Sequence, residues 1–185
     1  MLYYNTNPQD FHKMAELGYT LVPIKGIGAK YPPMKGWNKP GFKCDIKKHI
    51  QDNPGTNMGV AADTITIIDI DDLDGKWWLK HEGELLAGNP MQVNTRKGLH
   101  LYFKATDISN KLSGASRKEF PDGDIRNANK YYGIAPGSCV GTHLYTIKEA
   151  VPIHALPEFP DRLFPNNQPH RPNTCLLYTS DAADE

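Results

Sequence analysis

Apolar residues along the chain change their spacing several times, and each change marks an element. Asn7 followed by Pro8 has the chemistry of a helix N-cap with proline in the first turn, and Phe11, Met14, Ala15 and Leu17 then form a helical stripe that Gly18 ends. YTLVPI (19–24) reads as a strand, the Gly-, Pro- and Lys-rich segment from Lys25 to Phe42 as a loop, and Asp45 to Gln51 as a short helix. β-Branched residues crowd NMGVAA (57–62) and TITIIDID (64–71), which predicts two strands. GKWWLKHEGELL (75–86) predicts a helix, and MQVNT, GLHLYFKA, DIRN, KYYGIA and HLYTI predict further strands separated by turn residues. Alternation of this kind predicts an α+β or α/β domain built on a sheet, with no internal repeat.

Composition narrows the class. With 185 residues, 39% of them hydrophobic, the chain can bury a real core and is expected to form one domain over residues 1–165. No run approaches the roughly 18 apolar residues of a membrane span, and MLYYNTNPQDFHK lacks the layout of a signal peptide, so a cytoplasmic location is expected. Cys44, Cys139 and Cys175 are too few and too scattered for a disulfide framework or a zinc knuckle and are expected to be free thiols. Residues 166–174 read as a polar linker. The final CLLYTSDAADE (175–185) has no structural logic of its own and reads as translated sequencing adapter, with the natural gene expected to continue past Thr174. The 21 basic and 21 acidic residues cancel, but Asp181, Asp184 and Glu185 lie in that segment, so the remainder carries a net charge of +3. Such an excess permits a nucleic-acid partner without arguing for one.

The stretch TITIIDIDDLDG (64–75) carries the strongest chemical signal. Successive side chains of a strand alternate faces, so Asp69 and Asp71 project to one side while Ile68 and Ile70 face the other, into the core. Clustered carboxylates repel one another and resist burial, so a positive partner is expected. Two carboxylates at a strand end suit a hard cation such as Mg²⁺ or Mn²⁺, often completed by substrate phosphates. The plainer reading is a solvated turn, with Asp72 or Asp74 capping the next helix. A calcium loop does not fit, because Leu73 stands where the alternation of oxygen ligands should continue.

An apolar strand ending in Asp-x-Asp is by itself shared by glycosyltransferases, phosphatases and polymerases. The order of the downstream motifs is more specific. TRKGLHLYF places His100 on a strand after a basic turn, and FPDGDIRNANKYYGIAPGS places Asp124 on a later strand before a Pro-Gly-Ser turn. This succession resembles the archaeo-eukaryotic primase superfamily, specifically the bifunctional primase-polymerase domain of phage, plasmid and mobile-element replication proteins. ELGYTLVPIKGIGAKYPPMKGW and NMGVAAD extend the resemblance to about residues 10–165, in the same order. Gly98 departs from relatives that carry Ser two places before the His. The resemblance implies an α+β, primase-like catalytic domain with a mixed β-sheet, an RRM-like core and flanking helices.

It also implies a chemistry. The domain would be the nucleotidyltransferase of a DNA replication protein, synthesising or extending primers on single-stranded DNA template from nucleoside triphosphates. Two Mg²⁺ or Mn²⁺ ions would be held by Asp69, Asp71 and Asp124, the catalytic carboxylates. His100, with Arg96, Lys97 and Arg126, would bind the triphosphate, whose charge two cations do not neutralise. A downstream helicase or helical module is the expected neighbour. Each residue also has an ordinary reading: His100 as a packed histidine, Arg96 and Lys97 as a solvated turn, Lys30 and Lys35 as a solvated loop, Trp77 and Trp78 as packing beside the site. Two other functions stay open on the sequence alone. One is a catalytically silent single-strand-binding or replication-initiator module; the other, weaker, is a nucleotide-sugar glycosyltransferase, which offers no reason for the His100 and Asp124 strands.

Overall fold

The strand that carries Asp69 is apolar almost without interruption because it is covered on both faces, and the fold is what it takes to cover them. The computed structural model describes residues 5–31, 33–39, 42–112, 120–127 and 131–164. In chain order the elements are α1 (Pro8–Glu16), β1 (Leu21–Ile27), α2 (Ile46–Asp52), β2 (Thr56–Ala61), β3 (Ile65–Ile70), α3 (Lys76–Ala87), β4 (Met91–Asn94), β5 (Leu99–Lys104), β6 (Gly123–Arg126), β7 (Tyr132–Ile134), β8 (Cys139–Val140), β9 (His143–Leu144) and β10 (Thr146–Glu149). A five-stranded sheet runs β10-β4-β5-β3-β6, a three-stranded sheet runs β1-β2-β7, and β8 and β9 form a ribbon. All named strand pairs are antiparallel, and a parallel bridge joins Lys104 to Glu158. This is the expected α+β class.

Period-two alternation along β3 sorts its side chains between two cores. Ile65 and Ile67 pack with Tyr102 and Val93 of the same sheet, with Met58 and Val60 of the smaller sheet, and with Phe11 and Met14 of α1. Ile68 and Ile70 face the other way, onto Trp78 and Leu85 of α3 and onto Leu101, Phe103 and Phe120. Each of these four isoleucines is fully buried and contributes about 1.5–3 kcal/mol by leaving water. Trp78 is buried among them, and Trp77 packs against Phe120 and Phe164 with centroids 4.6 and 5.4 Å apart, so both tryptophans serve the core beneath α3. Among the described residues no helix is long and apolar enough to cross a membrane, and Cys44 and Cys139 are free thiols.

Local signals set α1 and α2 as expected. Asn7 accepts the Gln9 N–H at 3.3 Å and Asp45 accepts the Lys48 N–H at 2.9 Å. The start of α3 differs. Gly75 is its N-cap and gives no side chain; the Trp78 N–H is instead accepted by Asp122 Oδ2 at 2.7 Å, from a turn 44 residues away. A Cβ on Gly75 would stand 2.2 Å from the Asp122 carboxyl carbon, so glycine is what lets that carboxylate reach the helix end. Asp72 and Asp74 therefore do not cap the helix; Asp72 accepts the Asp74 N–H at 3.0 Å and folds its own turn. The same long-range turn ends β3 one residue earlier than the apolar pattern predicts. The N–H groups of Asp71 and Asp72 both donate to the Asp122 carbonyl, at 2.8 and 3.1 Å, which takes Asp71 out of the ladder.

HLYTI is likewise not one strand. The Tyr145 backbone bonds to Ser138 and Gly137, and the chain passes there from the ribbon to the five-stranded sheet. Substituting Asp122→Ala should lower unfolding free energy by about 1–2 kcal/mol through the lost cap, read as a lower urea midpoint at unchanged slope. Asp122→Asn should recover part of that loss. Wild-type stability in Asp122→Ala would mean that α3 holds without the remote carboxylate.

Candidate active site

Antiparallel register places three of the expected site residues in one row. Asp69 of β3 has His100 of β5 as its partner on one side and Asp124 of β6 on the other, so the three side chains share a face of the sheet. That face looks toward the smaller sheet rather than toward α3. Arg126, two residues beyond Asp124, projects to the same face, and its Nη2 donates to Asp69 Oδ2 at 3.3 Å and to Asp124 Oδ2 at 3.0 Å. His100 Nε2 lies 3.3 Å from Asp69 Oδ1. Both oxygens of Asp69 are thus engaged, one by an imidazole and one by a guanidinium.

These neighbours split the carboxylates. Burial by itself would raise the Asp69 carboxyl, but the charge and hydrogen bond of His100, followed by those of Arg126, outweigh it and hold Asp69 below the usual carboxylate range. Burial also pushes Asp124 up. Arg126 opposes that shift, but the negative charges of Asp69 and Asp71 reinforce it, and Asp124 stays above the usual range. Asp69 is therefore the firmly ionised member and Asp124 the member that takes a proton more readily.

A cleft of about 260 Å³ opens over Asp69 and His100, with Asp124 beside it rather than in its lining. Its floor includes Asp69, His100 and Arg126; its walls are Tyr132, Gly133 and Ile134 of β7, Tyr145, and Lys30 with Tyr31 from the loop after β1. Glycines keep the backbones close. A Cβ on Gly133 would lie 3.4 Å from the His100 ring and 3.0 Å from Ile67, so glycine lets β7 pass directly over the histidine. On the two sides of β3, a Cβ on Gly98 would stand 2.1 Å from the Ile70 carbonyl oxygen and one on Gly123 1.9 Å from that of Asp69. Gly98 is thus a packing requirement here, and a serine at this place has no room without a shift of β3.

The other expected residues sit at the rim. Asp71 is half-exposed, with Lys97 Nζ 3.9 Å from its Oδ1. Arg96 is exposed in the turn between β4 and β5, where its backbone and charge lower the Tyr145 phenol against the larger effects of burial and Asp69, which raise it. Lys35 does not line the cleft. Tyr31, Tyr132, Gly133 and Tyr145 do; Tyr132 and Gly133 are brought there by the pairing of β7 with β2, which no local spacing announces.

Among the described residues no three His, Cys, Asp or Glu side chains converge as a ready-made metal centre. A guanidinium stands between Asp69 and Asp124 as the compensating cation. The donor set itself, carboxylate oxygens from Asp69 and Asp124 with Asp71 at the rim, fits a hard divalent cation, which would compete with Arg126 for the same oxygens.

The family described as bifunctional DNA primase/polymerase, N-terminal (Prim-Pol), matches the chain over residues 12–159. No curated protein matches it.

The charge arrangement makes a titration testable. A depressed Asp69 contributes stability above the ordinary carboxyl pKa near 4, and that contribution is lost as pH falls through its lower folded value. A raised Asp124 works in the opposite sense: its ionisation disfavours the folded state, and protonation relieves this as pH falls through its folded value. Side-chain carboxyl ¹³C titration should therefore place the Asp124 midpoint above that of Asp69. Arg126→Gln should raise both midpoints, and Mn²⁺ or Mg²⁺ should then stabilise the variant more than the wild type. An unmoved Asp69 midpoint in Arg126→Gln would show that the guanidinium is not its compensating charge.

Proposed function

The chain belongs to the bifunctional DNA primase/polymerase N-terminal domain family, and on that premise we propose that it synthesises or extends primers on single-stranded DNA, with the row His100–Asp69–Asp124 as its catalytic centre. The observation that carries this reading is the cross-strand register, which sets two carboxylates side by side, one of them in the lining of an open cleft, with a cation already shared between them. A sheet under no functional demand has no use for such a pair, since each costs desolvation and repels the other.

Asp69, Asp124 and Asp71 would hold divalent cations, Mg²⁺ or Mn²⁺. When bound, such ions supply Lewis-acid activation of the attacking 3′-hydroxyl and charge neutralisation on the reacting phosphate. Arg126 then has a second task. With a cation on the carboxylates, its guanidinium would be available to triphosphate oxygens in the paired geometry that suits it. Lys97 and Arg96, at the rim, add positive charge where the outer phosphates would lie. His100 does two things in this reading: its Nε2 fixes the orientation of Asp69, and its Nδ1, buried and without a hydrogen-bond partner among the described residues, would meet a phosphate oxygen once the cleft opens to it.

Incubated with primed template, deoxynucleotides and Mn²⁺ or Mg²⁺, the protein should lengthen the primer. Asp69→Asn and Asp124→Asn should each lower kcat by at least about a hundredfold, equal to about 2.7 kcal/mol of transition-state stabilisation, with template binding retained. Full extension in either variant refutes the metal role. For His100→Ala, loss of a charge-assisted phosphate contact should raise KM for nucleotide or lower kcat/KM by about ten- to hundredfold. A fall in kcat with unchanged nucleotide KM and an increased divalent-ion requirement would instead assign His100 to holding Asp69. Template binding by a wild type that never extends a primer would favour the catalytically silent single-strand-binding module.

A further inference from the structure

Charge is unevenly distributed around the cleft. Residues 25–48 hold seven lysines, from Lys25 to Lys48, against a single acid, Asp45, although the whole chain is neutral. All seven are exposed, and six of them have no ion pair among the described residues, Lys48 being paired with Asp52 at 2.7 Å. By contrast, residues 69–84 carry six acids against Lys76 and Lys80. One third of the chain's 21 basic residues thus lie in one short segment, and that segment reaches the cleft through Lys30 and Tyr31.

Ala29, Lys30, Met34 and Trp37 of this segment are held in place rather than left to solvent. The Met34 N–H donates to the Pro23 carbonyl at 2.8 Å, and Asn57, fully buried, donates to the Ala29 carbonyl at 2.8 Å. The Tyr132 hydroxyl donates to the Lys30 carbonyl at 2.8 Å, and the Trp37 ring stands edge-on to Tyr132 with centroids 5.3 Å apart. A wall of the cleft therefore positions the lysine-bearing backbone. Tyr31, next to that anchor, is 75% exposed. A large ring left in water at the mouth of a site has apolar faces with no protein partner, and a nucleobase is the flat, sequence-tolerant partner such a ring accepts.

From the lysine distribution, the anchored backbone and the exposed Tyr31 ring, we propose that residues 25–48 form the track that delivers single-stranded template to the cleft. The lysines follow its phosphates and Tyr31 stacks under a base. A lone nucleotide is too short to use charges spread from the end of β1 to α2, whereas a strand runs along them. A duplex keeps its base faces stacked and offers none to Tyr31. The proposal rests on the polymerase reading of the cleft but makes a separate claim about which surface holds the strand.

Binding of a labelled oligothymidylate, followed by anisotropy at increasing salt, tests it without reference to turnover. Replacing Lys30, Lys35 and Lys39 together by Gln should reduce the slope of log Kobs against log salt by about 2, near 0.7 per lost phosphate contact. An equal charge loss elsewhere, Lys76→Gln with Lys80→Gln and Lys148→Gln, all exposed, should leave the slope close to wild type. Tyr31→Ala should weaken binding by about five- to 150-fold at fixed salt without changing the slope. The same slope in both triple variants, or wild-type affinity in Tyr31→Ala, overturns the proposal. Primer extension run in parallel separates the two claims: wild type that extends primers while the loop variant binds like the control removes only the track. Loop-dependent binding by a wild type that never extends removes only the polymerase reading.

Discussion

One guanidinium makes the centre of this molecule possible. Arg126 stands within 3.3 Å of Asp69 and 3.0 Å of Asp124 and bridges two carboxylates that would otherwise repel across adjacent strands of an apolar sheet. An unpaired buried carboxylate would neutralise itself by taking a proton. With Arg126 and His100 beside it, Asp69 does the reverse and is held ionised below the usual range. The arrangement is poised, because the same oxygens that accept from the guanidinium are those a hard cation prefers.

Backbone proximity holds the row in register. β3 is gripped by glycines on both sides, Gly98 on the β5 side and Gly123 on the β6 side, each close enough that a methyl group would strike a β3 carbonyl. Past the end of the strand, the turn at Asp122 takes over. Its carbonyl receives the N–H groups of Asp71 and Asp72, and its carboxylate receives the first turn of α3. One residue thus ends the strand, starts the helix and fixes where Asp71 leaves the ladder. The acidic cluster is rigid at Asp69 and Asp124 and more open at Asp71, the half-exposed member at the rim.

The two sides of the cleft differ in charge as well as in architecture. Carboxylates crowd the exit of β3, while lysines crowd the loop after β1, and Tyr132 links the two by lining the cleft and anchoring that loop through Lys30. Near neutrality of the whole chain conceals this separation. What matters to a charged partner is the local field at a cleft rather than the net charge.

Much of this was readable from the chain alone, and the reason is the range over which the rules act. The caps at Asn7 and Asp45 span two or three residues, and the alternation along β3 that assigns Ile68 and Ile70 to the core repeats every two. Asp124 and Arg126 share a face for the same reason, and the order of Asp-x-Asp, His100 and Asp124 pointed to the family that matches residues 12–159. What the tertiary structure decided lies at separations that no local period reaches. The cap of α3 comes from 44 residues away, the contact of Arg126 with Asp69 spans 57, and the anchor from Tyr132 to Lys30 spans 102. Those pairs depend on strand register and on how closely glycines let backbones approach. Local composition therefore determined which residues could do the chemistry, and packing of two sheets decided that a guanidinium, an imidazole and four tyrosines would surround them.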